Sequence, residues 1–500
     1  MDNMEPGERS LTRRALCTAG IAALAGHRGM AGNVQARAFA ADTAAKDLRK
    51  SQLFLDDTWI EETYRLERSW EPAEIFPEPV LRPETAWEGY QIVIAGGSVF
   101  RLGNEWRMYY MTYNRPDPMR LCMVVSRDGM RWERPKLGLF EHGGSKANNI
   151  VFHPPGEQSF TAATVCHDPT DASAPFKFMF YAAGGGKPTG TYVGFSKDGL
   201  EWRMHPEPVL TATGDQTNLM GTRDRRGKFV AFLRHKFMLQ RHRARTVWRT
   251  ESDDFVHWSE PEPILRPDLI DDPNVELYGF TGFPYSDMYL GLVERWMGNP
   301  DVFEIQPAWS HDGVRWHRPT TRKPLIAPQF PWNERWNSTV NTAPIRVGNV
   351  LRFYFGGRSR AHGRELGQVY GAVGMAVAAV DRFAAIRADF KEGQLITKAM
   401  TWPGGDLILN CNHTRNPQGF YNAGGGSIEV EVHDEGGNPI PGFAGDQRAK
   451  FNRLNPFPWA EEEKPVRWPA DRSLAELAGK RIRLVFLLRD SRLYSFRARG

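Results

Sequence analysis

Four copies of one short motif recur along the chain and constrain its fold more than any other feature. They are Ser126-Arg-Asp-Gly-Met-Arg-Trp132, Ser196-Lys-Asp-Gly-Leu-Glu-Trp202, Ser252-Asp-Asp-Phe-Val-His-Trp258 and Ser310-His-Asp-Gly-Val-Arg-Trp316, beginning 70, 56 and 58 residues apart. Recurrence at a near-fixed period marks an array of supersecondary units. Asp-Gly supplies the positive φ of a tight hairpin, the Ser and Asp side chains can bond back to turn amides, and the tryptophan can pack over the turn. Each copy follows a short apolar strand, and before that lies another β-prone run: 105–113, 176–181, 228–233 and 288–293. A further strand precedes each of these, so every period carries about four antiparallel strands, which is one propeller blade. A degenerate fifth period runs through Val350–Phe355 and Gly371–Val380, with Asp381-Arg-Phe383 in place of the Asp-Gly turn.

The spacing therefore predicts an all-β chain: a five-bladed β-propeller over residues 85–392, with residues 41–84 as a lead-in packed against it. After residue 393 the period stops. Alternating or apolar runs at 406–410, 427–432 and 481–488, separated by Gly-rich turns, fit a β-sandwich over 393–500. With 41% apolar and 25% charged residues, disorder and coiled coil are excluded. A net charge of +5 spread over 500 residues gives no basis for a nucleic-acid partner. No apolar run is long enough for a membrane span.

Residues 1–40 read as an export signal of twin-arginine type. Arg13-Arg14 precedes the apolar stretch Ala15–Gly26, and Ala38-Phe-Ala40 offers a small-x-small cleavage site. This predicts a periplasmic or extracellular location. Of the four cysteines, Cys17 lies in that leader, and the odd remainder excludes a disulfide framework while leaving a Cys122–Cys166 bridge conceivable.

The Ser-x-Asp-Gly-x-x-Trp hairpins, the Arg-Met-Tyr-Tyr second strand, Leu137-Gly-Leu139 with Gly144-Ser and Asn148-Asn-Ile, and the Leu-Tyr-Ser-Phe ending at Phe496 resemble the five-bladed-propeller glycoside hydrolases of the fructosidase and arabinanase type. The fructosidase signature Trp-Met-Asn-Asp-Pro-Asn-Gly and the Glu-Cys acid motif are absent, which points away from levan, inulin and sucrose. The resemblance implies a secreted enzyme that cleaves glycosidic bonds of an oligosaccharide or polysaccharide with a carboxylate pair. A phosphorolytic enzyme and a non-catalytic carbohydrate-binding propeller are the alternatives.

In such propellers the pocket lies on the axis, at the face where each innermost strand begins and where the loop after the second strand projects. The carboxylates at innermost-strand starts are Glu88, Asp215, Asp272, Glu276 and Glu334. Glycosidic cleavage needs one protonated and one ionised carboxyl. Asp215 is expected as base or nucleophile and Glu276, in an apolar setting, as the acid. Asp168 and Asp224 precede second strands and read as structural residues of the opposite face. The loops after the second strands carry Arg115, Arg234, His235, Arg295, Trp296, Arg358 and His362, whose heads can bind hydroxyls or an acidic group and whose indole can stack on a sugar. No metal-binding or nucleotide motif occurs, so no cofactor is expected.

Overall fold

The computed structural model of the protein describes residues 46–112, 119–154, 158–211, 213–239, 242–360, 362, 370–413, 426–451 and 465–500. Among them the regular elements are strands and three short 3-10 turns. The protein is all-β, a five-bladed propeller followed by a β-sandwich. Blade one is Ile92–Leu102, Glu105–Thr112, Leu121–Ser126 and Ile150–Phe152, paired antiparallel in chain order. Blade two is Ser159–His167, Phe176–Ala183, Gly190–Ser196 and Arg203–Met204. Blade three is Thr217–Leu219, Phe229–Leu239, His242–Ser252 and Glu262–Leu265. Blade four keeps three strands, Val275–Tyr285, Met288–Met297 and Val302–Ser310, with isolated bridges, Ile305 to Ile326 and Trp309 to His317, where a fourth would lie.

Blade five is completed from the other end of the chain. Trp336–Thr339, Val350–Arg358 and Gly371–Ala379 are followed outward by Glu74–Ile75. Asp381, read above as a degenerate hairpin turn, has another task. It sits at φ +67 and its carboxylate accepts from Tyr285 Oη of blade four at 2.7 Å and from Ser495 Oγ of the sandwich at 3.1 Å.

Hydrogen bonds join every neighbouring pair of blades near the axis. Ser98 Oγ donates to Val165 O at 2.7 Å, His167 N to Gly221 O at 3.4 Å, and Asn218 Nδ2 to Phe280 O at 3.0 Å. Thr281 Oγ1 donates to Val340 O at 2.7 Å, and Asn341 N to Gly97 O at 2.8 Å, which returns the ring to blade one.

The recurrent motif builds one hairpin four times. In blade one Ser126 Oγ accepts from Gly129 N at 2.9 Å, while Asp128 Oδ1 accepts from the amides of Met130 and Arg131 at 2.7 and 2.9 Å. Those backbone bonds hold the Asp128 carboxyl below the usual carboxylate range. The residue paired with each motif serine is aromatic: Trp106, Phe176, Phe229 and Tyr289. Phe255 takes the glycine position in the third copy at φ +70, its ring fully buried against Phe229 and Trp258. Neighbouring blades are stapled at the same place, for Tyr354 of blade five donates to Gly129 O at 2.7 Å and Tyr109 of blade one to Gly199 O at 3.1 Å.

The sandwich draws on both ends of the chain. One sheet contains Gln52–Leu53, Ser491–Arg499, Ala384–Ala388 and Glu67–Trp70, with Asp406–His413 also paired to Ser491–Arg499. The other contains Ile60–Tyr64, Gly393–Thr397, Arg481–Arg489, Ser427–Asp434 and Ala449–Phe451. Phe54, Trp59, Trp402, Phe443 and Phe496 fill the space between them. The segment 46–84 is therefore not only a lead-in, and sandwich pairing begins before residue 393. These strands are two to five residues long and find partners hundreds of positions away, so no local pattern announces them. Cys122, Cys166 and Cys411 are free thiols.

The inter-blade staple is testable. A Cβ at Gly129 would lie 2.6 Å from Tyr354 Oη, on a backbone at φ +72. Gly129→Ala is expected to cost about 2 kcal/mol of stability and Tyr354→Phe about 1 kcal/mol. In urea denaturation the alanine should cost less in the Tyr354→Phe background, where the obstructing hydroxyl is gone.

Candidate functional site

The five carboxylates at innermost-strand starts meet different fates. Glu88 is completely buried. Its Oε2 accepts from the amides of Glu84 and Thr85 at 2.9 and 3.1 Å, and its Oε1 from Tyr110 Oη and from Arg134 Nε at 2.9 Å. It closes a turn and neutralises Arg134, so it is a structural residue and leaves the candidate set. Asp272 is 80% exposed, 3.6 Å from Arg295 Nη2, and Glu334 is exposed. Neither is brought to the remaining pair.

Asp215 and Glu276 do converge, through two arginines of blade three. Asp215 Oδ1 pairs with Arg234 Nη2. Glu276 Oε2 accepts from Arg245 Nη1 at 2.7 Å and from its backbone N at 3.1 Å. Both guanidiniums lie over the ring of Tyr278, at 4.1 Å for Arg234 and 5.0 Å for Arg245. Cations at such distances from an aromatic face are attracted by its quadrupole. Tyr278 stands two residues after Glu276 on the innermost strand of blade four, which puts both on the same cluster.

An aromatic wall borders this cluster. Phe303 and Trp336 stack with centroids 3.9 Å apart at 2°, and Trp296 stacks on Phe303 at 5.7 Å. Arg358 lies over Trp336 at 4.2 Å and Arg245 over Trp296 at 5.1 Å. Trp296 Nε1 is oriented by Asp301 Oδ1 at 2.8 Å. His362 Nε2 meets Tyr278 Oη at 3.0 Å. Burial, then the nearby charges of Arg245, Arg234 and Arg358, hold the His362 ring below its ordinary value, although Asp301 acts in the opposite sense.

The other loop residues divide. Arg295 is turned away, donating to Glu304 Oε1 at 2.8 Å beside the buried Asp271, which also binds Arg318 and Arg322. Arg295 therefore completes the ion-pair packing of blade four and is a structural residue. The His235 ring lies against Trp248 with centroids 4.7 Å apart. Arg115 lies outside the described residues. Asp168 is buried with Lys177 and Arg223, as expected of a structural residue.

The residue that sequence reasoning missed is Glu294. It lies within the second strand of blade four, 1% exposed, where no strand-start or loop rule looks for a carboxylate. Trp336 Nε1 donates to its Oε1 at 2.8 Å, while Oε2 has no hydrogen-bond partner among the described residues. Burial pushes its carboxyl up to about 7, against the opposing pull of Trp336, Arg234 and Arg358. Opposite it stands Gly279, where a Cβ would fall 2.6 Å from Oε2. One signal was available: a glutamate ending the apolar run Met288–Val293.

The cluster thus holds a buried carboxyl pushed up to about 7, two ion-paired carboxylates, three guanidiniums and a stack of rings. Among the described residues no group of three or more His, Cys, Asp or Glu could hold a metal ion, and no helix is long and apolar enough to cross a membrane.

No family model and no curated protein sequence matches the chain. Solved structures similar to it include a glycoside hydrolase at 12% identity, covering 61% of this chain and 92% of its own, with a TM-score of 0.45. A β-1,2-mannobiose phosphorylase from Listeria innocua shares 13% identity over 63% of this chain and 98% of its own, with a TM-score of 0.43. An α-L-arabinofuranosidase from Podospora anserina shares 12% identity over 61% and 97%, with a TM-score of 0.41.

The raised Glu294 carboxyl makes stability depend on pH. Its contribution is present below the ordinary carboxylate range and is lost as pH rises towards about 7. Glu294→Gln cannot ionise, so between pH 5 and pH 8 it should gain about 2 to 3 kcal/mol relative to the parent protein. Chemical denaturation at the two pH values measures this.

Proposed function

We propose that the protein is a glycoside hydrolase in which Glu294 is the proton donor and Asp215 the base or nucleophile. The observation that carries this reading is the sharing of Arg234. Its guanidinium pairs with Asp215, whose side chain is 59% exposed, and also bears electrostatically on Glu294, which is buried and raised to about 7. A buried carboxyl raised to about 7 and an exposed carboxylate paired with the same arginine support the acid and base roles that glycosidic cleavage requires. Glu294 passes its proton to the leaving oxygen as the C–O bond breaks. Asp215 removes a proton from the attacking water or attacks the sugar carbon itself. Glu276, first expected as the acid, already has Oε2 engaged by two Arg245 donors and acts here by fixing that arginine. Phe303 and Trp336 are buried, so within the aromatic wall the half-buried Trp296 is the ring that would stack on a sugar.

Glu294→Gln should lose at least about a hundredfold in kcat/KM on unactivated oligosaccharides and much less on 4-nitrophenyl glycosides, whose leaving group needs no proton. In the parent enzyme kcat/KM should fall as pH rises through about 7, where Glu294 loses its proton. Asp215→Asn should be slow on both substrate types. Equal activity of Glu294→Gln on unactivated substrates overturns the assignment. Turnover that requires inorganic phosphate would favour the phosphorolytic alternative.

Export belongs to the same proposal. The leader with Arg13-Arg14 and the Ala38-Phe-Ala40 site supports release of a mature chain beginning near Ala41. N-terminal sequencing of material recovered outside the cytoplasm checks this, and a chain still starting at Met1 there would count against it.

A further inference from the structure

We propose that a hairpin arm of blade three, residues 234–239 and 242–247, is a lid over the axial pocket, latched across to blade four by Glu276. The inference takes its substrate from the glycoside-hydrolase reading, while the lid itself rests on strand pairing and contacts.

In the other four blades the second strand ends level with the start of the innermost strand: Thr112 pairs with Ile92, Ala183 with Ser159, Met297 with Val275 and Arg358 with Trp336. Blade three departs from this. Its innermost strand reaches no further than the pair Thr217 with Leu233, and its outermost strand no further than Leu265 with Val247. The second and third strands nevertheless stay paired to each other from Arg234 with Val247 up to Leu239 with His242. This overhang is about 20 Å long at the usual rise of a strand, and it projects from the face where the innermost strands begin. Among the described residues no strand pairs with either edge of it. A two-stranded ribbon is marginally stable by itself, so side-chain contacts must hold the arm in place.

At the root of the arm, Arg234 N donates to Gln216 O at 3.0 Å and Arg234 Nη2 pairs with Asp215. Across the opening, Arg245 N and Nη1 donate to Glu276 Oε2 at 3.1 and 2.7 Å, and both guanidiniums rest on the Tyr278 ring. Asp215 is exposed and Glu276 partly so, and ion pairs that water reaches hold weakly. The cavity beneath shows why the arm has to rise. Lined by Gln216, Asn218, Arg234, Val247, Tyr278 and Gly279, it is closed and has no room for a sugar. Two of its walls, Arg234 and Val247, are the root of the arm itself. Raising the arm withdraws Arg234 and Arg245 from Tyr278, unroofs the cavity and opens the way to Gly279, against which Glu294 Oε2 lies. Closing it again excludes water from the reacting bond.

Two readouts remote from the latch residue test this. Hydrogen exchange followed by mass spectrometry at the Arg234 amide, which Glu276 does not touch, reports lifting of the arm. A thiol placed under the arm by Gln216→Cys reports access, read as its labelling rate by fluorescein-5-maleimide, a bulky reagent, above the background of the unsubstituted protein. Glu276→Ala should speed both about tenfold or more, while exchange over residues 229–232, in the fully paired part of the same strand, stays within about twofold. Glu276→Gln removes the charge and keeps the shape, so it should act in the same direction and reads the latch if the alanine variant loses its melting transition. Should Gln216→Cys not fold, the Arg234 amide decides alone. An Arg234 amide indifferent to both substitutions at Glu276, exchange that rises equally over residues 229–232, or an introduced thiol that is labelled no faster without Glu276 overturns the lid. Neither readout needs turnover, so loss of the hydrolase reading leaves a latched arm standing. Conversely, a glycoside-cleaving protein whose arm ignores Glu276 sinks the lid alone.

Discussion

Everything in the propeller hangs on the polar ring at its axis. Two of the five innermost strands are short, three residues in Thr217–Leu219 and four in Trp336–Thr339, so backbone pairing within those blades cannot fix them alone. Ser98, Asn218 and Thr281 spend their side chains on carbonyls of the next blade. These groups are buried and satisfied, which makes each bond directional and the angle between blades definite. The site inherits that definition. Tyr278 precedes Phe280 by two residues and Trp336 precedes Val340 by four, and Phe280 and Val340 are the carbonyls that receive the ring's bonds. The Tyr278 ring, over which Arg234 and Arg245 lie, and the indole that bonds Glu294 are thus set by contacts one or two turns of pleat away.

Burial then decides which carboxylates can do chemistry. Glu88 and Glu294 are both out of water, yet Glu88 gathers four donors, while among the described residues Glu294 has Trp336 as its side-chain donor and Oε2 unpaired. The first is a closed structural element. The second pays the desolvation cost by keeping a proton. Gly279 is part of that arrangement, since any side chain there would occupy the space at Oε2.

The hairpin repeat made the blades legible because turn chemistry is local: a serine, an aspartate and a residue at positive φ within four positions. The rule that sorts carboxylates by strand start led to Asp215 and Glu276, which lie beside the blade-three arginines Arg234 and Arg245. It failed for Glu88 because face says nothing of depth, and Arg134, which helps bury it, lies 46 residues on. It failed for Glu294 because that residue reaches the cluster from inside a strand, through a gap left by a glycine on the paired strand. Arg245 escaped notice for a similar reason, lying within the third strand of blade three, beyond any loop. The sandwich was legible only where its strands are long enough to show alternation, as in Ile428, Val430 and Val432, all buried.

The strands contributed by residues 52–75 impose an order in time. Gln52 and Leu53 pair with Phe496 and Ser495, and Glu74 and Ile75 with Val377 and Ala376. A chain made at about 5 to 20 residues per second leaves the first of these segments waiting roughly 20 to 90 seconds for its partner. The edge of blade five can close once Gly371–Ala379 is made, whereas one sheet of the sandwich stays open until Ser491–Arg499 arrives. The first strands to be synthesised are therefore among the last to be seated, and the two ends of the polypeptide act as a single clasp.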